Sequence, residues 1–258
     1  VSSKKPPKMP KTAKKYDAKK LSGSNKQETL TYVLGGVAIV AIIALIVIFV
    51  VIPGSDKTKS SEYQAIEGQG ITLTADNTVF VGDEDAPVTL EVFEDFICPA
   101  CGQFENQYGG SINEAVSAGD VAVEYHTLNF LNQSSTSGDY SSRAAGALMC
   151  VAEQGDAVVF SDFHAEMFAP GTQPPQGSDM SDDEIAAVAD EVGADDSVIT
   201  CIEDGEMIDR AEQGAESSTA YLGEQAGQVG TPAVLVDGEP VEIGNPNWLD
   251  KARADGDE

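Results

Sequence analysis

The chemistry this sequence offers most directly sits on two cysteines. Cys98 and Cys101 form a C-x-x-C, Cys98-Pro99-Ala100-Cys101, directly after the alternating run Val88-Thr89-Leu90-Glu91-Val92-Phe93. A helical pattern follows from Gly102 to Ala118, despite Gly109-Gly110. A thiol at a helix start meets free N–H groups and the positive end of the helix dipole, and both stabilise a thiolate. The second sulfur lies one turn into the helix, shielded, where it resolves a mixed disulfide by attacking it. Pro99 suits the first turn, because its missing N–H is not needed there. Half of a zinc site is the competing use of such a pair. Zinc asks for four ligands, usually in two short-spaced pairs. Cys150 and Cys201 are isolated and widely separated, and His126 and His164 are the only histidines, so no metal is expected. Both histidines are expected to pack or to face solvent.

The second motif is Gly230-Thr231-Pro232, just before the apolar run Ala233-Val234-Leu235-Val236. A proline before a strand is often only a turn residue. Combined with strand, C-x-x-C and helix upstream, it suggests a cis-Pro232 that faces the dithiol. Such a turn leaves the Thr231 backbone free to pair with an extended substrate chain.

The elements that must position these groups are legible in outline. Ile71 to Val81 alternates loosely around a turn candidate at Asp76-Asn77 and reads as a short strand pair. Val121 to Leu128 is a further alternating strand after Gly119-Asp120. Ser141 to Gln154 is an Ala-rich helix stopped by Gly155. Asp182 to Val192 is the clearest helix: Ser181 and Glu184 form a capping box, and Ile185, Val188, Ala189 and Val192 form one apolar stripe. Gly193 closes it, and Pro170 to Ser178 is a loop. Ala233 to Val236, a turn at Asp237-Gly238, and Val241-Glu242-Ile243 read as a hairpin, with a final helical turn around Trp248.

Charge divides the 258-residue chain into three. Nine Lys fall between Val1 and Thr29, beside only Asp17 and Glu28, and Leu30 to Ile52 carries no charge. Nearly all of the 43 acidic residues lie beyond Pro53, and the net charge of the chain is −28. That balance excludes a general nucleic-acid binder, since nothing neutralises phosphates. Leu30 to Ile52 reaches about 34 Å as a helix, long enough to span a hydrocarbon core with some tilt. A cleaved signal peptide has a shorter apolar region and a small-x-small site, whereas this run ends in Ile52-Pro53-Gly54. The expected organisation is therefore a basic cytoplasmic tail at 1–29, a transmembrane helix at 30–52, a linker at 53–70 and an extracytoplasmic body at 71–258.

Phe93-Glu94-Asp95-Phe96-Ile97-Cys98-Pro99-Ala100-Cys101 and Gly230-Thr231-Pro232-Ala233-Val234 resemble the thioredoxin-fold, DsbA-like thiol-disulfide oxidoreductases. Arg143-Ala144-Ala145 leading to Cys150, then Phe163-His164 and Phe168, are similar in style. The resemblance runs from about Val79 to Trp248. It implies an α/β thioredoxin fold with a helical insertion from about 139 to 221. It implies Cys98 as nucleophile, Cys101 as resolving thiol, Pro232 as the cis-proline and Thr231 as its substrate-contacting neighbour, with no cofactor beyond the redox-active disulfide. Two positions depart from the pattern. Many relatives have His where this chain has Ala100, so helix N–H groups must do more of the thiolate stabilisation. Many also have a buried acid six residues before the first cysteine, where this chain has Val92. Glu94, of the same strand parity, can substitute as proton shuttle or can be a solvated strand-end acid; Asp95 has the opposite parity. Some actinobacterial relatives share a structural disulfide in the insertion, which implies Cys150–Cys201 here, with a second exchangeable redox pair as the alternative. Closing a loop of about 50 residues stabilises by roughly 4 kcal/mol.

The resulting expectation is a membrane-anchored oxidase that takes electrons from unfolded exported proteins. By family resemblance it passes them to a membrane quinone reductase of the VKOR or DsbB type, and it works as a monomer. A reductase or isomerase, for example in cytochrome c maturation, uses the same motif in the other direction, and potential decides between them. Such reductases often carry Trp before the first cysteine, where this chain has Ile97. An anchored binding module whose C-x-x-C is only a structural disulfide is the alternative from another class.

Overall fold

Alternation along Thr89–Glu94 decides the architecture. Leu90 and Val92 turn to one face and Phe93 to the other, and all three are buried, so this strand must lie inside a sheet covered on both sides. The computed structural model describes residues 64–255, which fall within one compact unit, 59–258; the other unit, Val1–Thr58, lies outside the described residues. The expected tail and transmembrane helix are therefore outside the described residues, and among those described no helix is long and apolar enough to cross a membrane.

The strands are β1 (Ile71–Leu73), β2 (Val79–Val81), β3 (Thr89–Glu94), β4 (Ala122–Thr127), β5 (Ala233–Val236) and β6 (Glu239–Pro240). They form one sheet in the order β1-β2-β4-β3-β5-β6. β3 and β4 are parallel, joined through helices, and the remaining neighbours are antiparallel. The crossover consists of α1 (Pro99–Phe104), a π-helical turn (Glu105–Gly109) and α2 (Gly110–Ala118). Between β4 and β5 come α3 (Tyr140–Glu153), α4 (Ala157–Met167), α5 (Asp182–Val192), α6 (Asp196–Glu203) and α7 (Ile208–Ala226). The last helix is α8 (Trp248–Asp255). This is a thioredoxin-fold sheet with a helical insertion. The main core holds Leu90, Val92, Val123 and Tyr125 with residues of α1, α2, α4 and α8. On the other face Phe93, Leu128 and Leu235 pack with Leu222 of α7.

The capping box of α5 forms with both hydrogen bonds, and Gly193 closes the helix in the left-handed region. Four expectations need correction. The helix after the dithiol is not continuous α-helix; Glu105–Gly109 widens to a π turn. The linker does not reach Gly70: Ile66 is fully buried and its N–H donates to Ser161 Oγ (3.0 Å), while Asn113 donates to Gln64 O (3.0 Å). One large apolar side chain is enough to seat that segment on the body. The insertion does not end near 221, because α7 continues unbroken to Ala226 and stops at left-handed Gly227. The return strand of the last hairpin is Glu239–Pro240 rather than Val241–Ile243. Val241 N–H still reaches Val234 O (3.0 Å), one residue beyond the Leu235–Pro240 pair.

Candidate active site

β3 ends at Glu94, and the chain turns so that Cys98 caps α1 with extended backbone (φ −77°, ψ 114°) and Pro99 opens the helix. Cys98 O accepts from the N–H groups of Cys101 (3.1 Å) and Gly102 (3.2 Å). The turn is fastened from beneath by Asp95, which is fully buried. Its carboxylate accepts from Ile97 N–H (3.1 Å), Leu131 N–H (3.1 Å) and the Ser141 hydroxyl (2.6 Å). From the side, Gln173 Nε2 donates to Phe96 O (3.1 Å) and Cys98 O (3.0 Å). Gln173 comes from the loop read as a mere connection. Gly102 leaves room for it, since a Cβ there would press on the Gln173 side-chain amide. Opposite the sulfur, the Thr231–Pro232 peptide is cis, and Cys98 Sγ lies 3.6 Å from Thr231 O. The two motifs, 133 residues apart in sequence, thus meet at one sulfur.

Both cysteines of the pair are free and buried, and they differ sharply as acids. The Cys98 thiol is brought down to about 5, chiefly because the Cys101 thiol donates to it. Burial opposes this, and the Thr231 hydroxyl and the backbone N–H groups of Cys101 and Ala100 add to it. The Thr231 Oγ1 is otherwise unpartnered among the described residues. Burial, and then the Cys98 hydrogen bond, push the Cys101 thiol far up. With Ala100 in place of a cation, hydrogen bonds alone supply the thiolate. Asp95 opposes it: burial raises its own acid to about 6, and its charge and that of Cys98 repel.

Beneath Cys101 lies a buried cluster. Glu94 is 2% exposed, not a solvated strand end. His164 Nε2 stands 2.9 Å from Glu94 Oε2, and His164 Nδ1 stands 3.4 Å from Glu105 Oε2. Contrary to the expectation of a packing or surface histidine, His164 is an ionic partner of both acids. Burial alone would lower it, but the charges of Glu105 and Glu94 outweigh burial and hold it up at about 10. Glu94 is pushed up by burial and then by the Glu105 charge, with His164 opposing. Its charge in turn raises Cys101. Glu94, Glu105 and His164 can each present a ligand atom within 4.8 Å of the others. Each nitrogen of His164 faces an acid oxygen, so the three side chains form one buried proton-holding network. The oxygens Glu94 Oε1 and Glu105 Oε1 have no partner among the described residues.

Cys150 in α3 and Cys201 in α6 are joined as a disulfide, with Cα atoms 6.0 Å apart. His126 lies on the face of β4 opposite the cluster, stacked on Phe93 at 4.3 Å. Sequence reasoning missed Gln173, Ser141, Glu105 and His164 as parts of the site. Only Glu105 left a local signal: it falls four residues after Cys101, one helical turn on, where side chains share a face.

A family model described as Thioredoxin matches residues 74–252. The chain is similar to the serine/threonine-protein kinase PknE of Mycobacterium tuberculosis, 39% identical over 174 residues, which is 66% of this chain and 30% of the kinase. The chain thus spans less than a third of the length of the curated relatives it matches. Among solved structures it is similar to the MdbA protein, a thiol-disulfide oxidoreductase from Corynebacterium diphtheriae. That likeness has 27% identity and a TM-score of 0.64, covering 76% of this chain and 99% of that one. Reduced DsbA from Mycobacterium tuberculosis is similar at 29% identity and a TM-score of 0.54, covering 69% and 98%. Matched by the family model over more than half of its length, and carrying its dithiol where that fold presents one, the chain belongs to the thioredoxin family.

Proposed function

We propose that the protein is an extracytoplasmic oxidase that converts cysteine pairs of exported proteins to disulfides, anchored through Leu30 to Ile52 with its basic tail in the cytoplasm. The observation that carries the direction is the split between the two thiols: Cys98 down to about 5, Cys101 far up. A stabilised Cys98 thiolate stabilises the reduced dithiol, which makes the disulfide form the stronger oxidant.

In this mechanism the oxidised protein carries a Cys98–Cys101 bond. A substrate thiolate attacks Cys98 Sγ, the Cys98–Cys101 bond breaks, and its electron pair goes to Cys101. Cys101 cannot stay ionised in its surroundings and takes a proton from Glu94, which His164 and Glu105 hold in place. A second substrate thiolate then attacks the substrate sulfur of the mixed disulfide, and Cys98 leaves as thiolate. Two electrons have passed from substrate to dithiol; of the two thiol protons, one has been replaced on Cys101 and the other enters solvent once Glu94 is reloaded. The Thr231 backbone, beside Cys98, pairs with the extended substrate chain. A membrane quinone reductase of the VKOR or DsbB type restores the disulfide by taking both electrons.

The test is the reduction potential of the full chain in glutathione buffers, with Cys98→Ser as control. A value near or above about −180 mV, lost in the control, supports the oxidase. A value near about −270 mV marks a reductase, and a disulfide resistant below about −300 mV marks a structural cross-link.

A further inference from the structure

The loop between α4 and α5, residues 168–181, has the composition of a loose connection, with Pro170, Gly171, Pro174, Pro175 and Gly177. The structure fastens it instead. The N–H groups of Thr172 (3.1 Å) and Gln173 (3.0 Å) both donate to Ala169 O, the Thr172 hydroxyl donates to Glu166 (2.7 Å), and Pro174 is buried. Further on, Gly177 N–H donates to Ser134 O (2.6 Å) and Arg143 Nη1 donates to Met180 O (2.8 Å). What this frame presents is one amide. Gln173 places both hydrogens of Nε2 on the turn that carries the nucleophile, at Phe96 O (3.1 Å) and Cys98 O (3.0 Å). The ring of Phe168, from the same loop, stacks on Phe96 at 4.8 Å. The insertion therefore grips that turn by a ring and an amide. A second stitch joins the same two parts without touching Cys98: Asn106 Nδ2 donates to Gly102 O and to Phe168 O (3.1 Å).

We infer that Gln173 is a positioning residue for the nucleophile: its amide fixes the Cys98 main chain and offsets two carbonyl dipoles of the turn that bears the sulfur, so that the helical insertion sets the reactivity of the dithiol. This rests on Cys98–Cys101 as the working dithiol. A carbonyl oxygen carries partial negative charge, and two of them on the turn of a thiolate oppose its charge. An N–H set on each oxygen offsets that opposition. The groups that act most on Cys98 are burial and hydrogen bonds from the Cys101 thiol, Thr231 and the N–H groups of Cys101 and Ala100, with no cation among them. Hydrogen bonds weaken steeply with distance and angle, so these donors converge on one sulfur only while the Cys98 backbone keeps its place. Cys98 O already accepts from the N–H groups of Cys101 and Gly102, and Gln173 adds a donor from outside the active-site helix. The residue type matters as much as its place. A carboxylate of the same shape would offer the two carbonyls no hydrogen and would set a negative charge near the thiolate.

The experiment uses the full chain with Cys98–Cys101 reduced and Cys150–Cys201 intact, as wild type, Gln173→Met, Gln173→Glu and Asn106→Ala. Alkylation of Cys98 by iodoacetamide is followed by mass across the acid and neutral range, the potential is measured in glutathione buffers at pH 7, and urea unfolding records the stability of each variant. Gln173 is half-buried in a loop, and both of its variants keep the length of the side chain, so the fold survives them. Gln173→Met removes both donors. The expected result is an alkylation midpoint about one pH unit higher, which is about tenfold less thiolate below both midpoints, and a potential lower by the same tenfold, about 30 mV. Gln173→Glu moves both readings further in the same direction. Asn106→Ala loosens the same junction and leaves both in place. A midpoint and potential unmoved in both Gln173 variants, whatever their stability, overturn the inference. So does an equal shift in Asn106→Ala, which marks general loosening of the junction. A wild-type midpoint near the ordinary cysteine value of about 8.5 removes the working thiolate and the inference with it; a low wild-type midpoint that the Gln173 variants leave in place removes the inference alone.

Discussion

If Cys98 is a thiolate at neutral pH, the redox equilibrium must show it as a proton count. The perturbation is pH, taken from 4 to 8. Cys98 in the folded, reduced protein is depressed from 9.0 to about 5. A depressed acid contributes stability that is fully present above its unfolded value and is lost as pH falls through its folded value. At pH 7 the folded thiol is two units above its own pKa while the unfolded thiol is still protonated. At about 1.36 kcal/mol per unit, the reduced form gains about 2.7 kcal/mol at pH 7 and almost none at pH 4. The oxidised form has no thiol to ionise and gains nothing. Cys101, pushed far up, stays protonated throughout and does not alter the count. Above pH 5 reduction thus consumes two electrons and one proton, and the potential falls by about 30 mV per pH unit; below pH 5 it consumes two protons and falls by about 59 mV. The assay is equilibration with a dithiol of known potential at each pH, read by acid quenching and alkylation. Urea unfolding of the reduced and oxidised forms checks it independently: the gap between them must shift by about 2.7 kcal/mol between pH 4 and pH 7. A slope of 59 mV that persists to pH 7, with an unchanged stability gap, refutes the thiolate and with it the argument for direction.

Three further outcomes are expected. Glu94→Gln keeps the shape of the buried acid and removes its proton, and it slows reduction by a dithiol peptide by about 100-fold at pH 7 in stopped flow; an unchanged rate means Cys101 is protonated by another route. Replacing both Cys150 and Cys201 by Ala opens a loop of 51 residues and lowers stability by about 4 kcal/mol in denaturant titrations. The potential of the Cys98–Cys101 pair stays where it was, which an exchangeable second redox pair would not allow. Gly214→Ala places a Cβ 2.5 Å from Asn77 O, a backbone atom that cannot swing away, and lowers the unfolding midpoint by about 1–3 kcal/mol worth of stability as α7 is lifted from the β1–β2 turn.

How far the sequence was legible follows from the reach of each contact. The dithiol, the Pro99 helix start and the Ser181–Glu184 capping box are encoded within a few residues, and strand alternation locates β3, β4 and β5. The pairing of Cys98 with Thr231–Pro232 was readable only because both ends carry recognisable residue types. Gln173 and His164 carry no such mark. Gln173 reaches back 75 residues to Cys98 O and His164 reaches back 70 residues to Glu94, and nothing local separates them from any surface Gln or packed His. The π turn was hidden for another reason. Its residues, Glu105 to Gly109, have an ordinary helical pattern, and the widened turn goes with a buried carboxylate at Glu105 set against His164. The linker boundary failed on one side chain, Ile66, whose burial outweighs a run of polar and glycine neighbours.

Three acids of one stretch, Glu91, Glu94 and Asp95, show how a period of two distributes chemistry. All three are at least nine-tenths buried, a costly placement for carboxylates that each must be answered locally. Glu94 shares the face of Leu90 and Val92 and meets His164 at 2.9 Å, close enough for the charge of one to stabilise the other. Asp95, one residue on, turns the opposite way and is answered by two backbone N–H groups and a hydroxyl, with no cation at all. Glu91 shares the face of Phe93 and is only 4.0 Å from His126, too far for a hydrogen bond. The two histidines shift in opposite directions although both are buried: the charges of Glu105 and Glu94 raise His164 against its burial, whereas burial alone acts on His126 and lowers it. One strand gives its acids these separate surroundings by pointing successive side chains to opposite faces of the sheet.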